Sequence, residues 1–118
     1  MAAPVPTEAQ EARTLAAYLR VRGYKFTHIA NETGSGRGAR FQGIRNKQQG
    51  VSPGFPDYIV LVNDNIIFIE LKRTKGGVLS QAQKDWIAAL EEAGQTVRVC
   101  KGAQAAIDFI EEVAHDQS

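Results

Sequence analysis

The sequence predicts an α/β fold, a mixed four-stranded sheet flanked by helices in the order α-β-β-β-α-β-α. Three observations carry this. Two β-branched, apolar runs, Tyr58 to Val62 and Ile66 to Ile69, flank Asn63-Asp64-Asn65 and read as a β-hairpin. Segments with helical period open the chain, follow the hairpin and close the chain. A helix separates the hairpin from the last strand-like run, so a right-handed crossover onto the same sheet is the default.

The elements follow in order. Met1 to Pro6 (MAAPVP) reads as a disordered lead-in, and residues 7–118 as a single domain. Thr7 is an N-cap with Gln10 as its capping-box partner. From Glu8 to about Arg22 the apolar stripe is Ala12, Leu15, Ala16, Leu19 and Val21, and Gly23 is the stop signal. Tyr24 to Ala30 alternates as a strand, with Tyr24, Phe26 and His28 on one face. His28 is a candidate ligand or base, but a lone histidine on a strand is read as structural. Arg37 to Gln49 has few apolar anchors and reads as a weak helix or a loop. Gly50 to Pro56 is a turn-rich approach to the hairpin.

After the hairpin, Arg73-Thr74-Lys75-Gly76-Gly77 is a basic link. Ser80 is the next N-cap, with Gln83 three residues on. That helix runs to about Ala93, with Trp86, Ile87 and Leu90 expected to face inward and Gly94 as its C-cap. Thr96 to Cys100 is a strand. Ala103 to about Ala114 is the last helix, with Ala106, Ile107, Ile110 and Val113 on its apolar face.

Composition narrows the function classes. The chain has 118 residues, ordinary apolar content and a net charge of +1. No apolar run approaches a membrane span, and the start lacks a charged-then-apolar leader pattern, so a cytoplasmic protein is expected. Cys100 is the single cysteine, which excludes an internal disulfide and a cysteine-rich zinc site. In its strand context it reads as a buried core thiol.

The chemistry centres on Pro56 to Lys72. Asp57 opens the first hairpin strand, and Glu70 and Lys72 close the second. The strand period of two puts Glu70 and Lys72 on one face, and antiparallel return brings them beside Asp57. Two carboxylates so placed repel and favour their protonated forms. A hard divalent cation such as Mg²⁺ relieves that repulsion, and a neighbouring lysine orients a water or offsets phosphate charge. The pattern therefore points to metal-assisted phosphodiester hydrolysis. The plain alternative is a hairpin with solvated charged ends, since an E-x-K triplet alone is common. Glu8 and Glu11 share one face of the first helix. Locally their role is to complement the helix N-terminus, and functionally either supplies a third carboxylate.

Charge is unevenly spread. Between Thr33 and Pro56 the charged residues are Arg37, Arg40, Arg45 and Lys47, with no acid, and Arg73 and Lys75 follow Lys72. A basic middle beside two carboxylates suits a bound polyanion.

These residues resemble the PD-(D/E)xK nuclease superfamily, and within it the small stand-alone members of the VRR-NUC family found in phages and bacteria. The resemblance runs through Thr7-Glu8-Ala9-Gln10-Glu11, His28-Ile29-Ala30-Asn31, Gly50 to Asp57, Phe68 to Lys72, and Ser80-Gln81-Ala82-Gln83 with Trp86. It implies a restriction-endonuclease-like core and a DNA endonuclease dependent on Mg²⁺ or Mn²⁺. Asp57, Glu70 and the Leu71 carbonyl would hold the ion, with Glu8 or Glu11 completing the acidic cluster. Lys72 would position or activate water, and Gln83 would be an accessory polar residue. Asn31, Arg37, Arg40, Arg45, Lys47, Arg73 and Lys75 would contact DNA. The resemblance also implies a homodimer acting on branched DNA, as Holliday-junction resolvases do. Ala30 replaces a proline of the family pattern, and Gly34 to Gly38 is unusually rich in Gly and Arg; both bear on substrate preference. The rival readings are a nucleic-acid-binding module without catalysis, a protein whose charged ends pair between copies, and a nuclease that nicks unbranched DNA.

Overall fold

A computed structural model describes residues 4–29 and 47–116 of the chain. The elements are α1 (Glu8–Arg22), β1 (Lys25–His28), β2 (Tyr58–Val62), β3 (Asn65–Lys72), α2 (Gln81–Glu92), β4 (Thr96–Lys101) and α3 (Ala103–His115); residues 47–48 are also helical. The strands form one sheet in the order β1-β2-β3-β4. β1 to β3 pair antiparallel, and β4 joins β3 in parallel through the α2 crossover. The predicted α/β class and mixed four-stranded sheet are what the chain adopts.

The hairpin register explains how the reactive groups meet. Val62 pairs with Asn65 and Tyr58 with Ile69, so the turn is only Asn63-Asp64 and β3 overruns the start of β2. Asn63 takes φ of 55°, a left-handed conformation asparagine tolerates. Asn65, expected in the turn, is the first residue of β3. β3 therefore continues past Tyr58 and carries Glu70, Leu71 and Lys72 alongside Asp57.

The two faces of the sheet are covered unequally. One face presents Tyr58, Val60, Val62, Ile67, Ile69 and Leu71, all at most 1% exposed. Leu15 and Leu19 of α1 and Ala106, Phe109 and Ile110 of α3 close over it. Period two places Ile59, Leu61, Ile66 and Phe68 on the other face. There α2 contributes no buried residue, and Leu61 and Ile66 remain 41% and 52% exposed.

Several local expectations change. Val21 is 86% exposed and does not belong to the α1 stripe, whose buried residues are Glu11, Leu15 and Leu19, with Ala12 packed against the core as expected. Trp86, Ile87 and Leu90 are half-buried rather than core. Ala93 caps α2, and Gly94 follows it at φ of 83°. Within the alternation of residues 24–30, β1 covers Lys25 to His28, the part paired with β2, and Ala30 lies outside the described residues. Phe109, not singled out in the sequence, is buried in α3.

Candidate active site

Asp57 and Glu70 interlock at the open end of the hairpin. The Asp57 N–H donates to Glu70 Oε2 at 3.1 Å, and the Leu71 N–H donates to Asp57 Oδ2 at 3.0 Å. Each carboxylate is thus held by the backbone of the other's strand. The Leu71 carbonyl lies on the same edge of β3 as its N–H, toward Asp57. Lys72 Nζ stands 3.4 Å from Glu70 Oε1. The Ile29 N–H donates to the Asp57 carbonyl, which ties the end of β1 to the same point.

Gln83 connects this cluster to α2. Its Nε2 donates to Glu70 Oε1, and its Oε1 accepts from the Ser80 N–H at 2.8 Å. The capping box predicted from Ser80 and Gln83 is therefore present, and the same side chain also positions Glu70. The approach loop secures the start of α2. Gly54 takes φ of 94°, and a Cβ there would come within 2.5 Å of the Ala82 carbonyl carbon, so only glycine fits. Phe55 packs edge-on against Phe68 and Trp86, with ring centroids 5.8 and 5.0 Å away. On the other side Gly77 lies against Lys72, where a Cβ would be 2.9 Å from Lys72 Cβ.

A cleft of about 550 Å³ opens at this point, lined by Glu8, Arg13, His28, Asp57, Lys72 and Gln83 among others. The two first-helix glutamates separate here. Glu8 faces the cleft. Glu11 is only 9% exposed and its carboxylate packs against Gly102, where an added Cβ would meet Glu11 Oε2 at 2.7 Å. Gly102 starts α3 and offers no side-chain cap, so the Glu11 charge complements that helix N-terminus. His28 stacks on Tyr58, with centroids 4.4 Å apart and planes 9° from parallel, and lines the cleft.

Electrostatics follow from burial. Glu70 is 1% exposed, and burial first, then the Asp57 charge, push its pKa up to about 7. Lys72 and the Asp57 N–H pull in the opposite direction and are outweighed. Burial raises Asp57 as well, against the hydrogen bond from Leu71 and the fields of His28 and Lys72. Tyr58 is raised to about 12 by burial, then by the nearby charges of Asp57 and Glu8. The pair therefore binds a proton readily, and a divalent cation would take that proton's place. Hard carboxylate oxygens beside a backbone carbonyl are the donor set Mg²⁺ selects. Among the described residues no three His, Cys, Asp or Glu side chains form a ready-made ligand group. A bound ion would take its remaining ligands from water and phosphate oxygens, the usual arrangement for Mg²⁺. The residues present fit the ion.

The basic residues divide. Lys47, Arg73 and Lys75 are exposed. Asn31, Arg37, Arg40 and Arg45 lie outside the described residues. Arg13 lines the cleft but was not singled out in the sequence. Its signal was available: the small side chains of Ala9, Ala12 and Ala16 flank it on α1, and Ala9 and Ala12 line the cleft with it. Cys100 is 1% exposed and burial pushes its thiol up to about 11, as a core residue.

A model of the VRR-NUC domain matches residues 9–104. The chain belongs to the VRR-NUC family. The match takes in Glu11, His28, Asp57, Glu70, Lys72 and Gln83 and begins one residue after Glu8. A solved VRR_NUC domain protein superposes with a TM-score of 0.76 at 21% identity, over 93% of this chain and 89% of that one. A second, described as a VRR_NUC domain, gives 0.62 at 17% identity, over 90% and 97%. No curated protein matches the chain. The family and the structural neighbours establish a nuclease-type fold.

Proposed function

We propose that this VRR-NUC protein is a Mg²⁺- or Mn²⁺-dependent DNA endonuclease that acts on branched DNA as a homodimer. The observation that carries the reading is the carboxylate pair: Asp57 and Glu70 are locked together across the hairpin end, with Lys72 3.4 Å from Glu70. Asp57, Glu70 and the Leu71 carbonyl would hold the ion, and Glu8 is the first-helix carboxylate on the cleft side. When bound, the ion supplies Lewis-acid charge to the phosphate and lowers the pKa of a water.

The chain's own residues supply the rest. Lys72 carries an ammonium with donors only, so it orients the attacking water through a lone pair or offsets charge on the pentacoordinate phosphorus as the 3′ oxygen leaves. Its bond to Glu70 limits its swing. Gln83 is a positioning residue: both ends of its amide are committed, to Ser80 and to Glu70, so its effect reaches the phosphate through Glu70. Arg73 and Lys75 continue directly from Lys72 and, with Lys47, offer phosphate contacts that carry no base readout. Asn31, Arg37, Arg40 and Arg45 are proposed to extend that contact.

The half-open sheet face supports the dimer. Leu61 and Ile66 are cross-strand neighbours, both exposed, on the sheet face that α2 leaves open. A second copy related by a two-fold axis would cover this apolar strip and present two reaction centres to two strands. A cytoplasmic setting accords with these features, and no helix among the described residues is long and apolar enough to cross a membrane.

The deciding experiment is cleavage of supercoiled plasmid, linear duplex, flap and four-way junction with Mg²⁺, Mn²⁺ or EDTA. Asp57→Asn should abolish metal-dependent cleavage and leave DNA binding largely intact. Undiminished cutting by that variant defeats the assignment. Paired symmetric cuts confined to the four-way substrate establish the branched preference, and cutting of plain duplex at equal rate refutes it.

A further inference from the structure

We infer that the groove between α1 and β1 is a subsite for one unpaired DNA strand running out of the reaction centre, with its first base stacked on His28. This deepens the nuclease reading and rests on it. The groove has a volume of about 670 Å³ and is lined by Ala12, Arg13, Ala16, Arg20, Phe26 and His28 among others. It is continuous with the cleft, since Ala12, Arg13, His28 and Tyr58 line both.

Three features select a nucleotide strand. The first is charge. Arg13 and Arg20 are exposed, and neither forms an ion pair among the described residues. They stand seven positions apart on the helix, ~10 Å at 1.5 Å per residue. That spans about three steps of a DNA strand at its 3.4 Å rise. The second is the floor. Ala12 and Ala16 lie one helical turn apart and leave room that larger residues would fill. The third is the ring stack. Tyr58 is 1% exposed and closes one end of the His28–Tyr58 stack, while His28 is exposed on the groove side. Phe26 lies further along, with the Arg20 guanidinium 5.8 Å from its ring centroid. Aromatic surface interleaved with arginine is how sequence-tolerant single-strand sites are built.

This arrangement chooses among DNA shapes. Bases inside a duplex stack on each other and cannot offer a face to His28. Only a nucleotide already unpaired, or splayed at a branch, can enter. The groove therefore favours DNA with an unpaired nucleotide beside the phosphate that is cut. An acidic peptide would satisfy the arginines but leave the open ring face unused.

The test measures binding without chemistry. The probe is a DNA hairpin bearing a single-stranded tail with 2-aminopurine at its first unpaired position, compared with the same hairpin blunt-ended, both in EDTA. Wild-type protein should bind the tailed form about tenfold more tightly, the scale of one base–aromatic stack, and quench the fluorophore. Arg13→Ala/Arg20→Ala should weaken tailed binding severalfold toward the blunt level and reduce its salt slope by about 1.4, from two single-strand phosphate contacts. His28→Ala should lose the quench, and His28→Phe, which keeps a stacking ring, should restore it. Equal wild-type affinity for the two probes overturns the subsite, as does a double-arginine variant whose tail preference and salt slope are both unchanged. A double-arginine variant that instead changes oligomeric state, with tail preference intact, makes the groove a contact between copies and also overturns it. Metal-dependent cleavage lost in Asp57→Asn but no tail preference leaves the nuclease reading standing and removes only this one.

Discussion

The two faces of the sheet do different work. On the α1/α3 face, thirteen of the described apolar residues are buried in one cluster, Tyr58 and Leu71 among them, and Glu11 is buried on the same stripe of α1 as Leu15 and Leu19. On the α2 face the helix buries nothing fully, and among the described residues it is tied to the sheet by the bond from Gln83 to Glu70 and by Phe55 between Phe68 and Trp86. The thick face carries stability. The thin face leaves Glu70 buried yet reachable from the cleft. A carboxylate raised by burial needs such a place: a dry wall on one side and an opening on the other.

The contrast is sharpest in a pair of leucines. Leu19→Ala, on the thick face at 0% exposure, should cost about 2–5 kcal/mol of unfolding free energy. Leu90→Ala, half-buried on α2, should cost about 1 kcal/mol or less in the monomer, since surface-proximal losses are small. Urea unfolding at matched protein concentration measures both. Similar losses would break the distinction between the faces. A Leu90 loss that grows with protein concentration would instead mark α2 as part of the dimer contact.

The same contrast explains what could be read from the sequence. The thick face was legible because its pattern is periodic: β-branched alternation in Tyr58–Val62 and Ile66–Ile69, and helical spacing at Leu15, Leu19, Ala106 and Ile110. Capping boxes at Thr7 and Ser80 fixed two helix starts, and both are present. The meeting of Asp57, Glu70 and Lys72 followed from antiparallel return. What stayed hidden depended on distances between elements remote in the chain. Val21 continued the α1 stripe in composition but turns outward. Glu8 and Glu11 were equivalent on a helical wheel and differ because Gly102, over ninety residues away, receives only one of them. His28 gained a role only when pairing set it beside Tyr58 and Ile29 beside Asp57.

The carboxylate pair makes the second prediction, a pH dependence opposite to ordinary acid unfolding. Glu70 is raised from an ordinary 4.5 to about 7, so the folded state binds its proton more tightly than the unfolded chain. The contribution is fully present below the unfolded value and is lost as pH rises through about 7. In EDTA this group should make the protein more stable near pH 5 than near pH 8, by roughly 1–3 kcal/mol. Glu70→Gln should flatten that dependence. Mg²⁺ competes with the proton, so its thermal shift should be larger at pH 8 than at pH 5.5. Scanning calorimetry across that range decides it; a metal-free protein whose stability rises steadily with pH contradicts the buried pair.

The smallest effect separates two glutamates on one helix. Glu11 places its charge against the start of α3, which has no side-chain cap of its own, so Glu11→Gln should lower stability by about 0.3–1 kcal/mol or somewhat more for its burial. Cleavage by that variant should match wild type once the fraction folded is allowed for. Glu8 is exposed and faces the cleft. Glu8→Gln should leave unfolding within about 0.5 kcal/mol of wild type and raise the Mg²⁺ concentration needed for half-maximal cleavage. The reverse assignment, a stable Glu11→Gln protein with altered Mg²⁺ dependence, would mean that the α1–α3 contact opens when the ion binds. The burial of Glu11 would then belong to the metal-free state alone, and the thick face would be less fixed than its packing implies.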